Sequence, residues 1–276
     1  MPTSRDAAAG RSRTAWPWRG GSGFTAPDGS RLTVGAAEVS RPWSCNFVAR
    51  IAGARNAFSV AERGAFEWYT SFVLTHASVQ EHPYRGGDLA LAHDATTHET
   101  LTAWRGPWFE LHHRRVGPVP TVPAATRVFD ALRLQDTPDG MRVAAWSHQA
   151  PTFEAPTFEA PTFEAPTFEP LTVFKEIPGI GDLRIERPGR SEVSPPRWRG
   201  APARRGEIWR RSLAAGAAGA AGAAGAAGAA GRARGEILLL ATPTTVTQLI
   251  PGPEHTADPA VALAFLRELD ISWDPA

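Results

Sequence analysis

Nine side chains between residues 190 and 211 have the types that recognise negative charge. They are Arg190, Arg197, Arg199, Arg204, Arg205, Arg210 and Arg211, with Trp198 and Trp209 among them. A guanidinium presents a planar fork of donors that matches phosphate and carboxylate. An indole stacks on an unpaired base, and the two together are what single-stranded nucleic-acid binders use. The block therefore reads as a contact surface for an anionic partner, either nucleic acid or an acidic protein surface. It could instead dock on the chain's own acidic end. The formal charge of residues 182–235 is +7, and that of residues 236–276 is −5.

Immediately before the block stands Ile177-Pro178-Gly179-Ile180-Gly181. These five residues resemble the hairpin of the helix-hairpin-helix DNA-binding family. The resemblance implies backbone amides close to a phosphate. The flanks depart from it, because Leu171-Thr-Val-Phe174 is strand-like and Pro188 would cut the second helix short.

A second constellation lies in the middle of the chain, where His76, His82, His93, His98, His112 and His113 crowd together. Ala92-His93-Asp94 resembles the His-Asp pair of the HD metal phosphohydrolases. That resemblance implies a metal that activates water, held by His93 and Asp94 with His82 (or His76) and Asp130 completing the set. That family is helical, whereas the segment around His93 reads as strand or loop. A metal-dependent hydrolase is therefore the alternative to a non-catalytic binding or structural protein, and no cofactor is expected for the latter. A third reading is a structural subunit whose long insertions wrap a neighbour.

Composition removes several other classes. Of 29 basic side chains only Lys175 is lysine, the arginine skew that GC-rich coding produces. The single cysteine, Cys45, excludes a disulfide scaffold and a cysteine-based zinc cluster. Its neighbours Trp43 and Phe47 mark it as a buried thiol. No P-loop, Rossmann glycine pattern or nucleophile elbow occurs. No apolar run reads as a membrane span. Residues 1–23 are arginine-rich without an apolar core, so a secretory signal is not expected. The expected location is cytoplasmic, with an organellar transit peptide as the alternative.

The elements that must position these residues follow from periodicity and turn chemistry. Phe24 to Val34 reads as a hairpin turning at Pro27-Asp28-Gly29. Pro138-Asp139-Gly140 predicts a second, pairing 126–135 with 141–146. Residues 43–51 form a strand candidate, and 104–111 suggests strands about Gly106-Pro107. Ser59-Val-Ala-Glu62 fits a capping box, and Phe66, Tyr69, Val73 and Ala77 follow at helical spacing. A helix is therefore predicted over 59–80. In the C-terminal piece, 236–242 and 245–250 read as strands. Asp258 caps a helix starting at Pro259.

Two low-complexity tracts interrupt this pattern. Four copies of Ala-Pro-Thr-Phe-Glu occupy 150–169, where proline every five residues forbids a helix. In an extended chain their phenylalanines are spaced roughly 15 Å apart. Six copies of Ala-Ala-Gly occupy 214–231 and read as a linker. The predicted organisation is a tail (1–23), a globular unit (24–149), a repeat linker (150–170) and a hairpin (171–187). An Arg/Trp/Pro-rich segment (188–213), a second linker (214–231) and a C-terminal unit (236–276) packing back on the first complete it. The predicted class is α+β: an antiparallel sheet covered by the 59–80 helix and the C-terminal helix.

Overall fold

The computed structural model describes residues 23–35, 43–51, 54–145, 171–177, 179–191, 193–212, 236–250 and 259–276. The N-terminal tail, both repeat tracts and Asp258 lie outside these residues. The chain is mostly β, which corrects the predicted α+β sheet under two helices.

The strands in chain order are β1 (Gly23–Thr25), β2 (Arg31–Gly35), β3 (Trp43–Ile51), β4 (Ala54–Glu62), β5 (Ser78–Tyr84), β6 (Gly87–Asp94), β7 (Glu99–Arg105), β8 (Phe109–Val116), β9 (Leu132–Thr137), β10 (Gly140–Ala145), β11 (Thr172–Ile177), β12 (Gly181–Glu186), β13 (Ala201–Ala203), β14 (Gly206–Ser212), β15 (Glu236–Ala241), β16 (Val246–Ile250) and β17 (Asp270–Asp274). The helices are α1 (Ala65–Phe72), α2 (Val122–Asp130) and α3 (Pro259–Glu268). A 12-stranded antiparallel sheet runs β13-β14-β15-β16-β12-β11-β3-β4-β8-β7-β6-β5, and a five-stranded sheet runs β17-β2-β1-β10-β9.

The two sheets share one core. Phe24 on β1 stacks on Trp43 at 5.6 Å and meets Phe109 at 6.0 Å. Met141, Phe129, Leu240, Leu249, Leu266 and Trp273 are buried in the same cluster. Strand alternation sorts the large sheet's side chains onto an inner face, toward this core, and an outer face. On β6, Leu89 and Leu91 point inward. Ala90 and Ala92 point outward, and with Leu101 and Ala103 they accept Phe66 and Tyr69 of α1. On β15, Leu238 and Leu240 point inward and Leu239 outward. The outer face is covered near one end by α1 and near the other by the 190–200 segment.

The largest difference from the sequence reading is in 59–80. Here α1 keeps only two turns of the predicted helix. Ser59 caps nothing: it sits in β4 and its hydroxyl donates to the Asn46 side-chain oxygen of β3 at 2.9 Å. The Glu62 carboxylate accepts the Trp43 backbone N–H at 3.0 Å. Residues 54–61 pair with β3 and residues 58–62 with β8, so 58–61 are held on both sides. Those two ladders outweigh a local helical preference. In the same way α2 takes 122–130 from the predicted strand, leaving β9 to pair with β10.

The first Pro-Asp-Gly hairpin forms as read, and the second forms about its predicted turn with β9 (Leu132–Thr137) in place of the predicted strand 126–135. At the second, Gly140 has φ 146°, and a β-carbon there would collide with the Thr25 carbonyl. That close approach lets β1 and β10 pair in parallel, so the turn also joins the two hairpins.

The C-terminal residues complete both sheets. β17 pairs along β2, and β15 and β16 lie between β14 and β12. The Ala-Ala-Gly tract thus connects two neighbouring antiparallel strands, β14 and β15.

Candidate anionic-partner site

The Arg/Trp block forms one end of the large sheet. The 190–200 segment runs over the outer face of β14 and β15 and is fastened at three points. The Ser191 hydroxyl donates to Glu186 at 2.5 Å, and Glu186 is fully buried. The Gly200 N–H donates to Glu207 at 2.9 Å. The Trp209 indole N–H donates to the Trp198 carbonyl at 2.9 Å.

The two tryptophans therefore part company. Trp209 packs with Leu239, Val246 and Val193 and is buried, so its ring cannot stack on a ligand. Trp198 is 70% exposed, between the exposed Arg197 and Arg199.

The arginines divide as well. Arg204 and Arg205, in the β13–β14 turn, face Asp270 of β17 at 3.9 and 2.5 Å. Arg210 approaches Glu236 at 3.8 Å. These three meet the chain's own acidic C-terminal region. Arg199 reaches Glu207 only at 4.0 Å and its side chain is 91% exposed. Such exposed pairs contribute about 0–1 kcal/mol. None of the described carboxylates pairs with Arg197 or Arg211. Arg211 lies on the same face of β14 as Trp209, two residues along. Arg197, Trp198 and Arg199 lie on the segment that covers this outer face, and Arg211 lies on the face itself. Arg190 is exposed where the segment leaves β12, its N–H on the Arg187 carbonyl at 3.1 Å.

The turn before this block is not the DNA-binding hairpin its glycines resemble. It joins β11 to β12, strands rather than helices, with Ile180 N–H on the Ile177 carbonyl at 3.0 Å.

The metal candidates are not gathered. His93 Nδ1 meets the Thr100 hydroxyl of β7 at 2.9 Å. Asp94, its neighbour on β6, turns to the opposite face and caps its own loop through Thr96 and Thr97 N–H. The Thr96 amide holds its carboxyl below the usual range. Asp130, at the end of α2, accepts the Tyr84 hydroxyl at 2.5 Å. His82 sits on β5 opposite Leu89. Among the described residues, no group of three or more His, Cys, Asp or Glu could hold a metal ion.

Two further histidines, His112 and His113, act in packing. His112 meets the buried Glu110 at 2.9 Å. His113 lies against Phe58, 5.2 Å between rings. Burial, then the positive Arg115, lowers the His113 pKa from 6.5 to about 4. Such a histidine stays neutral in the folded chain while the unfolded chain takes up a proton. Its contribution is therefore fully present above pH 6.5 and is lost as pH falls to about 4. Thermal unfolding of His113→Gln should show a flatter pH dependence across that window than the wild type. Parallel curves would show that His113 is not responsible.

The one lysine is also internal. Lys175 Nζ lies 4.5 Å from the Trp43 ring centroid, and burial lowers its pKa to about 8 against the opposing pull of Glu62. Cys45 is fully buried, and desolvation raises its pKa well above the ordinary thiol value. Neither is presented to a solution ligand.

The individual acidic partners Glu207, Asp270 and Glu236, and the Arg204 N–H donating to the Arg267 carbonyl of α3 at 2.9 Å, are not singled out by the sequence. Only the opposite charge of the C-terminal block hints at them. The fold and site define a mostly β chain with a basic, tryptophan-bearing sheet end. No family model, curated protein or solved structure matches the chain. Among the described residues, no helix is long and apolar enough to cross a membrane.

Proposed function

We propose that the chain is a binding protein that engages single-stranded nucleic acid through the outer face of the β14 end. One observation carries the reading: Trp198 stands 70% exposed between two exposed arginines, on a segment pinned by the Trp209 indole. A pinned, exposed indole loses little freedom on stacking, and each base–aromatic stack is worth about 1–3 kcal/mol. Arg197, Arg199 and Arg211 supply phosphate contacts whose strength falls with salt.

A labelled oligothymidylate should bind with an affinity that drops steeply as salt rises. Trp198→Ala should weaken binding by about tenfold or more without changing the salt slope. Arg197→Ala or Arg199→Ala should each reduce that slope by about one unit. Binding indifferent to salt would overturn the nucleic-acid reading. An acidic polypeptide competing as well as the oligonucleotide, with Trp198→Ala neutral, would place the partner among proteins instead.

A further inference from the structure

We propose that β5, the far edge of the 12-stranded sheet, pairs antiparallel with β5 of a second copy across a two-fold axis through Gln80. The other sheet edges are occupied. β13 is three residues long, contains Pro202, and gives the Arg204 N–H to α3. Along β9, Asp136 accepts the N–H groups of Trp108 and Phe109, and the Leu132 carbonyl accepts Arg85. The β17 edge gives the Trp273 N–H to the Thr244 hydroxyl at 3.1 Å. β5 is seven residues long and, among the described residues, pairs only with β6.

The hairpin fixes which backbone groups of β5 are open. Arg85 and Gly86 have φ 48° and 74°, a two-residue turn of the mirror-image type I class. Tyr84 and Gly87 then form a hydrogen-bonded pair, and such pairs alternate along the ladder. So Gln80 and His82 direct their backbone groups to β6, while Val79, Glu81 and Pro83 direct theirs outward. Pro83, with no N–H to offer, lies on the open side, where an edge strand tolerates it. Among the described residues, nothing bonds the outward amides of Val79 and Glu81.

A two-fold axis normal to the sheet at Gln80 places Val79 opposite Glu81 of the partner subunit, and Glu81 opposite Val79 of the partner subunit. Both pairs use outward groups, giving four reciprocal hydrogen bonds with no like charges opposed. Gln80 would face its own copy in a non-hydrogen-bonded pair. The same axis keeps both outer faces on one side. That side carries Val79 (46% exposed) and, on α1, Trp68 (47%) and Phe72 (70%), whose rings lie 5.7 Å apart. Three of the seven large exposed hydrophobics of the described residues thus lie on the outer side of the β5–β8 end of the sheet. A closed two-fold pairing buries the β5 edge and ends there, without propagating.

Light scattering should find a dimer at roughly 50 µM that dissociates on dilution. Gln80→Cys should form an intermolecular disulfide on mild oxidation, because Cα atoms of such pairs lie about 4.5 Å apart. Cys45 is buried and does not compete. Val79→Pro removes an outward N–H but no bond to β6, and should weaken the dimer by about tenfold or more. A monomer at all concentrations, or a dimer in which Gln80→Cys fails to cross-link, would overturn the proposal. If Val79→Pro fails to fold, the Gln80→Cys cross-link alone decides.

Discussion

Glu110→Ala should destabilise the protein by about 3–5 kcal/mol in urea unfolding, the loss typical of breaking a buried ionic network at one partner. Glu110 is on β8 with no exposed surface. Its two oxygens accept the N–H groups of Gly64 and Phe66 at 3.0 and 2.7 Å, and the His112 imidazole lies 2.9 Å away. Arg63 stands 3.8 Å off. Helix α1 has no side-chain cap of its own at Gly64, so this distant carboxylate satisfies its first-turn amides. Burial alone would raise the Glu110 pKa. The His112 contact and the two amides outweigh it, so the net shift is downward. Alanine leaves those donors buried without an acceptor. Glu110→Gln keeps one acceptor oxygen and should cost less. A loss below about 1 kcal/mol for Glu110→Ala would show that α1 does not depend on this contact.

Trp273→Ala should cost about 3–5 kcal/mol, the range for emptying a buried aromatic site. Trp273 is 2% exposed on β17, near the end of the chain. Its indole N–H donates to the Ser30 hydroxyl at 2.7 Å, and Arg187 lies 4.9 Å over its ring. Arg187 in turn meets Asp28 at 2.9 Å. One side chain thus ties the last strand to the first hairpin turn and to the end of β12. Trp198→Ala, at an exposed site, should change stability by less than about 0.5 kcal/mol. Equal, small effects of the two substitutions would mean that residues 270–274 do not close the core.

These contacts mark what a sequence can and cannot disclose here. The Pro27-Asp28-Gly29 and Pro138-Asp139-Gly140 turns were legible because their chemistry is local. The strands at 43–51 and in the C-terminal piece, and the helix at Pro259, were legible for the same reason. The Ser59-to-Gln80 segment was not, because its state is decided by two partners far away in sequence. Its serine-to-glutamate spacing and aromatic stripe satisfy a helix as well as they satisfy β4 followed by α1. Within the site, the exposure of the arginines was legible from composition. The burial of Trp209 was not: Ile208 and Trp209 enter opposite faces of a sheet buried on both sides, which removes the usual alternation. The four metal candidates share residue types, but β-pairing sends their side chains to different neighbours.

The proposed nucleic-acid surface centres on Arg197, Trp198 and Arg199. The most direct measurement is binding of a labelled oligothymidylate to wild type and to the Arg197→Ala/Trp198→Ala/Arg199→Ala variant at one low salt concentration, with matched unfolding curves. The expected result is an unchanged unfolding midpoint and a loss of binding of about a hundredfold or more. Equal affinity in the two proteins would mean that these three side chains do not form the binding surface.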